Sequence, residues 1–172
     1  MKEWIPIPGS NKDKLIQAAL EAFSQNNFKD VKISTLAAKA DMTTGAVYHH
    51  FGSKLKLYQV IRKEMEQRIV DRMEGAASLF EVPEESLKAA LLTGLDFVEK
   101  QKAYKIFSEE PQSRDIDKVE DFIRGFRKEA DIPFEILIIS SWRSILKGLD
   151  KEELTLIQAK KLIKWMLERE SL

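Results

Sequence analysis

Residues 32–57 read KISTLAAKADMTTGAVYHHFGSKLKL, and this stretch constrains the fold more than any other part of the chain. It contains two short helical segments, about 34–40 and 44–51, that meet at a tight turn. After Gly52 and Ser53 a third helix begins. In the first segment Leu36, Ala37 and Ala40 form a small apolar face that lets the next helix approach closely. In the second, Val47 and Phe51 sit four apart and face inward. Thr43 or Thr44 can cap it. Two helices joined in this way form a helix-turn-helix, the arrangement that lays its second helix in a DNA major groove.

The rest of the chain is helical by its spacing. Alternating β-branched runs are few, and there is no Asn-Gly or Asp-Gly hairpin signal. Pro6 and Pro8 keep the first residues extended, so the first helix is expected to begin near Ser10 or Asn11. Its apolar face is Leu15, Ile16, Ala19, Leu20 and Phe23. The fourth helix is long, running to about Phe80 with Leu57, Ile61, Met65, Ile69 and Met73 spaced in threes and fours. Pro83, followed by Glu84 and Glu85, opens a fifth with Leu87, Leu91, Leu95 and Val98 at its core positions. A short helix is expected around 104–109. A seventh carries Ile116, Val119, Phe122, Ile123 and Phe126. Pro133 opens an eighth, expected to end near Lys147 before Gly148. Asp150 and Glu153 have the three-residue spacing of a capping pair for a ninth. The expected fold is all-α, with about nine helices: a three-helix head over residues 1–52 and a helical bundle over 53–172.

Charge narrows the function. The chain has 28 Lys and Arg against 28 Asp and Glu, a net charge of zero, which argues against a general nucleic-acid binder. Residues 1–73 carry +4 and residues 74–172 carry −4. A mildly basic head on an acidic body fits a protein that touches phosphate with one end. There is no cysteine, so disulfides and thiolate metal sites are excluded. No apolar run approaches the roughly 18 residues that suggest a membrane span. Met1-Lys2-Glu3-Trp4 lacks the basic-then-apolar order of a signal peptide. A cytoplasmic location without a membrane partner is expected.

The head carries chemistry suited to DNA. Thr43, Thr44, Gly45, Ala46 and His49 are left facing outward, and small side chains at the start of such a helix let its backbone enter the groove. Tyr48 can donate to phosphate, with its ring expected to pack. Lys54 stands at a helix N-terminus, where ammonium and free amides together suit an anion. His49-His50 could also be read as a metal pair. Neighbours on a helix point about 100° apart, however, and the chain has no further histidine, so neither a metal nor a cofactor is expected.

Leu36-Ala37, Ala40-Asp41-Met42, the run from Thr43 through Phe51, and Ser53-Lys54 closely resemble the signature of the TetR family of bacterial transcriptional repressors. The resemblance covers the first third of the chain. With Lys32 and Ser34, it gives a candidate DNA-binding set of Lys32, Ser34, Thr43, Thr44, Gly45, Ala46, Tyr48, His49 and Lys54. Two residues depart from the pattern. Asp41 replaces the usual turn glycine, a change that aspartate's tolerance of left-handed backbone permits, but it adds negative charge near DNA. Lys32 stands where the family often has threonine, which would make that phosphate contact ionic.

The resemblance further implies a body that binds a small molecule and dimerises through its last two helices. Residues 133–149, PFEILIISSWRSILKGL, carry apolar side chains on several faces, more than one packing surface needs. Ile138, Ile145, Ile157 and Trp165 are the interface candidates, against the alternative of a larger core within one chain. Met65, Met73, Leu95, Phe107, Phe122, Phe126 and Trp142 are candidates to line an apolar effector pocket, though the same residues at this spacing suit a plain core. Gln101, Tyr104 and Arg143 are the possible polar anchors. The expected function is a dimeric repressor that binds a palindromic double-stranded operator and is released by a small apolar or amphipathic effector. Two alternatives stand beside it. One is a helical protein-interaction module without operator binding. The other is an enzyme, against which the chain offers no nucleophile–base–acid constellation and no phosphate-cradling glycine loop.

Overall fold

The computed structural model describes residues 8–111, 117–126 and 132–168. Among them there are nine α-helices and no strand, in agreement with the all-α expectation. They are α1 (Asn11–Gln25), α2 (Ile33–Lys39), α3 (Thr44–Phe51), α4 (Lys54–Ala77), α5 (Pro83–Gln101), α6 (Tyr104–Ser108), α7 (Lys118–Arg124), α8 (Glu135–Asp150) and α9 (Leu156–Leu167), with one 3₁₀ turn at Phe28–Asp30. By its contacts the chain divides into two compact units, Met1–Arg62 and Lys63–Leu172. The division falls inside α4, ten residues beyond the boundary drawn at 52 from sequence, because Leu57, Tyr58 and Ile61 are buried and Tyr58 packs on rings of the first unit.

In the first unit, Ser10 caps α1 by accepting from the Asp13 amide. Helix α1 packs on α2 and α2 on α3, and Leu15, Ala19 and Phe23 of α1, Leu36 and Ala37 of α2 and Val47 of α3 are all at 2% exposure or less. Burying each of the larger side chains contributes about 1.5–3 kcal/mol. An aromatic cluster then ties in the start of α4. The Tyr58 ring meets Phe23 and Phe28 edge-on, each at 5.0 Å between centroids.

The turn between α2 and α3 is a Schellman motif. The Met42 amide donates to the Ala37 carbonyl at 2.9 Å and the Asp41 amide to that of Ala38 at 3.3 Å. This places Asp41 at φ 54°, the left-handed position usually held by glycine. The start of α1 holds the turn from outside: Asn11 Nδ2 donates to the Asp41 carbonyl at 3.3 Å, and Lys14 Nζ donates to its carboxylate at 2.6 Å. Thr43 is the residue that caps α3, accepting from the Ala46 amide at 3.1 Å. Gly52 ends that helix at φ 76°.

The second unit packs α6 and α7 on α8, and α9 on α5 and α8. Its buried core includes Met73, Leu91, Leu95, Ile106, Trp142 and Leu146. Asp117 caps α7, accepting from the Val119 and Glu120 amides at 2.9 and 3.1 Å. The expected core residue Ile116 lies outside the described residues.

The α8–α9 junction corrects the sequence reading. Helix α8 does not stop at Lys147 but continues through Gly148 to Asp150. Its end is a second Schellman motif, with the Glu153 amide on the Gly148 carbonyl at 2.8 Å, that of Glu152 on Leu149 at 3.1 Å, and Glu152 at φ 58°. Asp150 is therefore a helical residue, ion-paired with Lys105, and cannot cap α9. Thr155 does so instead, in a capping box with Gln158. Glu152→Gly should raise stability in urea unfolding by about 1 kcal/mol, by relieving a left-handed side chain. Thr155→Ala should lower it by about 1 kcal/mol. No loss on removing Thr155 would contradict the reassigned cap.

Candidate nucleic-acid interface

All nine residues expected to face DNA lie in the first unit. Thr43 through Ala46, Tyr48 and His49 are on α3 or its cap. Lys32 and Ser34 stand at the start of α2, and Lys54 at the start of α4. Only Val47 of α3 is buried. Thr43, Thr44, Gly45, Tyr48, His49 and His50 are exposed, and Ala46 and Phe51 are half-buried. A helix this lightly anchored presents nearly its whole outer surface. It begins with two hydroxyls, a residue without a side chain and a methyl group.

Three positions differ in detail from expectation. Tyr48 is 47% exposed, so its ring projects outward rather than packing as a wall. The Thr43 hydroxyl oxygen is used in the cap, which leaves Thr44 with the less committed hydroxyl. Lys54 is folded back: its ammonium donates to the Lys29 carbonyl at 3.1 Å and lies 4.6 Å above the Phe28 ring. Burial there lowers its pKa from the usual lysine value, with the Asp30 carboxylate opposing the shift. Lys54 therefore clamps the 3₁₀ turn to α4.

The charge of Asp41 is compensated locally. The hydrogen bond from Lys14, and then its positive charge, hold the Asp41 carboxyl below the ordinary aspartate value. Both side chains are exposed, so the pair adds little to stability. Its effect is to cancel a negative charge beside α3. Lys39 likewise pairs with Glu21 at 3.1 Å. Lys32 and Lys56 are exposed and have no ion pair among the described residues. Lys14, Asn11, Phe28 and Tyr58 escaped the sequence reading because their role depends on contacts 27 to 30 residues apart along the chain, as with Lys14 and Asn11 on Asp41.

In the second unit, Met65, Met73, Leu95, Phe107 and Trp142 are buried. Phe107 meets Trp142 and Phe97 edge-on at 6.2 and 6.3 Å. Phe122 and Phe126 are half-buried and pair with each other, edge-on at 5.3 Å. Two of the three possible anchors are committed elsewhere. Arg143 Nη2 donates to Asp117 at 2.7 Å. The Tyr104 hydroxyl donates to Glu99, and burial, reinforced by that carboxylate, raises its pKa well above the ordinary tyrosine value. Gln101, at the end of α5, is half-buried. Of the expected interface residues, Ile138 and Ile145 are buried within the unit itself, whereas Ile157 and Trp165 are 70% and 78% exposed. No described helix is long and apolar enough to cross a membrane, and no cluster of metal-ligating side chains occurs among the described residues.

Known proteins resemble this chain in sequence and in fold. The KstR2 transcriptional repressor of Mycolicibacterium smegmatis is 24% identical over 71% of this chain and 60% of its own length. The SrpR transcriptional regulator of Pseudomonas putida is 40% identical over 29% of this chain and 24% of its own. The matches thus span from about a quarter to three-fifths of these curated relatives. A solved TetR-like transcriptional regulator from Rhodococcus sp. RHA1 shares the fold, with a TM-score of 0.67 over 94% of this chain and 96% of that one at 19% identity. Residues 15–61, from α1 into α4, match the model of bacterial regulatory proteins of the tetR family. Through that segment the chain is similar to bacterial regulatory proteins of the tetR family.

Proposed function

We propose that the chain is a DNA-binding repressor of transcription that grips a palindromic operator as a homodimer and is released by a small apolar or amphipathic effector. The observation that carries this reading is the outer surface of α3, where Thr44, Gly45, Tyr48 and His49 are exposed while Val47 alone is buried. Hydroxyl, methyl and bare backbone suit base edges, and the Tyr48 hydroxyl suits phosphate. The doubt raised by Asp41 is reduced by Lys14, whose ammonium compensates the charge.

The same reading assigns residues 53–172 to sensing and dimerisation. Leu137 on α8 and Ile157, Leu162 and Trp165 on α9 are exposed. A tryptophan and three aliphatic side chains left in water make a costly surface, and covering them with a second copy removes that cost. Ile138 and Ile145 then serve the core beneath the interface. Effector control would act through α4, whose residues belong to both units. It requires an effector that prefers the conformation unable to hold DNA.

Selection from random duplexes should return a palindrome. Affinity for it should fall with salt, with a log–log slope of roughly −2 if Lys32 of both heads neutralises phosphate, and of roughly −4 if Lys54 also turns outward from the Lys29 carbonyl. Tyr48→Phe, which removes one hydrogen bond from each head, should weaken that binding by roughly 30-fold, without altering the circular dichroism spectrum. Failure to enrich any site would defeat the repressor reading. Trp165→Glu should shift the protein from dimer to monomer in sedimentation, with dimer affinity lower by roughly 100-fold. An unchanged dimer mass would place the interface elsewhere.

A further inference from the structure

Trp142 is 1% exposed, and its indole Nε1–H is buried with no acceptor among the described residues. Native interiors leave few donors in that condition, since each forfeits its hydration for nothing. The surroundings of this donor are unusually yielding. Gly94 of α5 stands against it: a Cβ there would lie 3.4 Å from Trp142 Cζ2 and 3.2 Å from Met73 Sδ. Cζ2 and Nε1 are bonded to the same ring carbon, so the donor lies close to this spot. The space left by the missing side chain is filled by the Met73 thioether, the most easily rearranged of apolar side chains. Turning Met73 away would free about the volume of its own side chain beside that donor.

We infer that this gap is the polar subsite of the effector pocket, and that it takes a neutral hydrogen-bond acceptor, a ketone or ester carbonyl, carried on an apolar or aromatic body. The inference rests on the reading of residues 53–172 as a sensor. A carboxylate is disfavoured because three cations of this unit are engaged elsewhere: Arg143 through Nη2 with Asp117, Lys105 with Asp150, and Arg72 against the Phe97 ring, although the Arg143 Nε–H is also buried without an acceptor. A buried anion would then face an indole donor that carries no charge.

The indole region of a ¹⁵N–¹H correlation spectrum of the full chain tests this, because Trp4, Trp142 and Trp165 are its three tryptophans and Trp142→Phe identifies the signal concerned. Acetophenone and ethylbenzene are suitable probes, nearly equal in shape and differing by a carbonyl. Acetophenone should move the Trp142 signal downfield in a saturable way. Ethylbenzene should not move it downfield, and should bind about fivefold more weakly. Met73→Ala, which removes the side chain that must turn aside, should tighten acetophenone binding. The absence of a saturable shift, or the same shift with both probes, overturns the subsite. Binding of the selected duplex by the same preparation is measured alongside, and it stands or falls independently of that result.

Discussion

The geometry of the first unit depends on how the start of α1 holds the α2–α3 turn. A helix-turn-helix needs a sharp reversal, and here the residue at the left-handed position is Asp41 rather than glycine. Its backbone strain is of order 1–2 kcal/mol. The two Schellman hydrogen bonds, the Asn11 contact to its carbonyl and the Lys14 contact to its carboxylate surround that one residue and over-determine its conformation. The same contacts cancel its charge. With the turn fixed, Thr43 can start α3, Val47 can anchor it, and the rest of its surface is left to solvent. The Phe23–Phe28–Tyr58 cluster holds the chain on the far side of α3, where α4 begins.

Much of this was legible in the sequence, and what escaped has a physical pattern. The start of α1 and the span of α3 follow from local signals, a capping hydroxyl and apolar residues four apart. Helix ends were harder. Among the described residues, the three other than glycine at positive φ, Asp41, Lys102 and Glu152, each stand where a helix terminates. A helix that ends without glycine hides its own punctuation. Gly148 looked like a stop and is interior to α8, where Leu154 packs against it. Asp150 and Glu153 looked like a cap and are the last turn and its exit. The long-range partners of Asp41 and Tyr58 left no local trace at all.

The candidate sites divide along the same line. The exposed surface of α3 could be read from spacing because a short helix with one buried residue has few alternatives. The outer face of α8 could not, because Ile136, Leu137, Ile138 and Ile139 run consecutively and only packing distinguishes the exposed pair from the buried one. Tyr104 and Arg143 looked like anchors for a ligand, but each satisfies a carboxylate of its own unit. That leaves Trp142, first counted as apolar wall, as the donor on which recognition of an effector is proposed to turn.

The proposal that this head reads DNA with α3 is tested most directly by following backbone amide resonances while the selected duplex is titrated in. The account predicts that the largest changes fall on Thr43 through His49, with a second group at Lys32 to Ser34, and that the amides of α8 and α9 change little. Changes spread over α8 and α9 with α3 unmoved would contradict it.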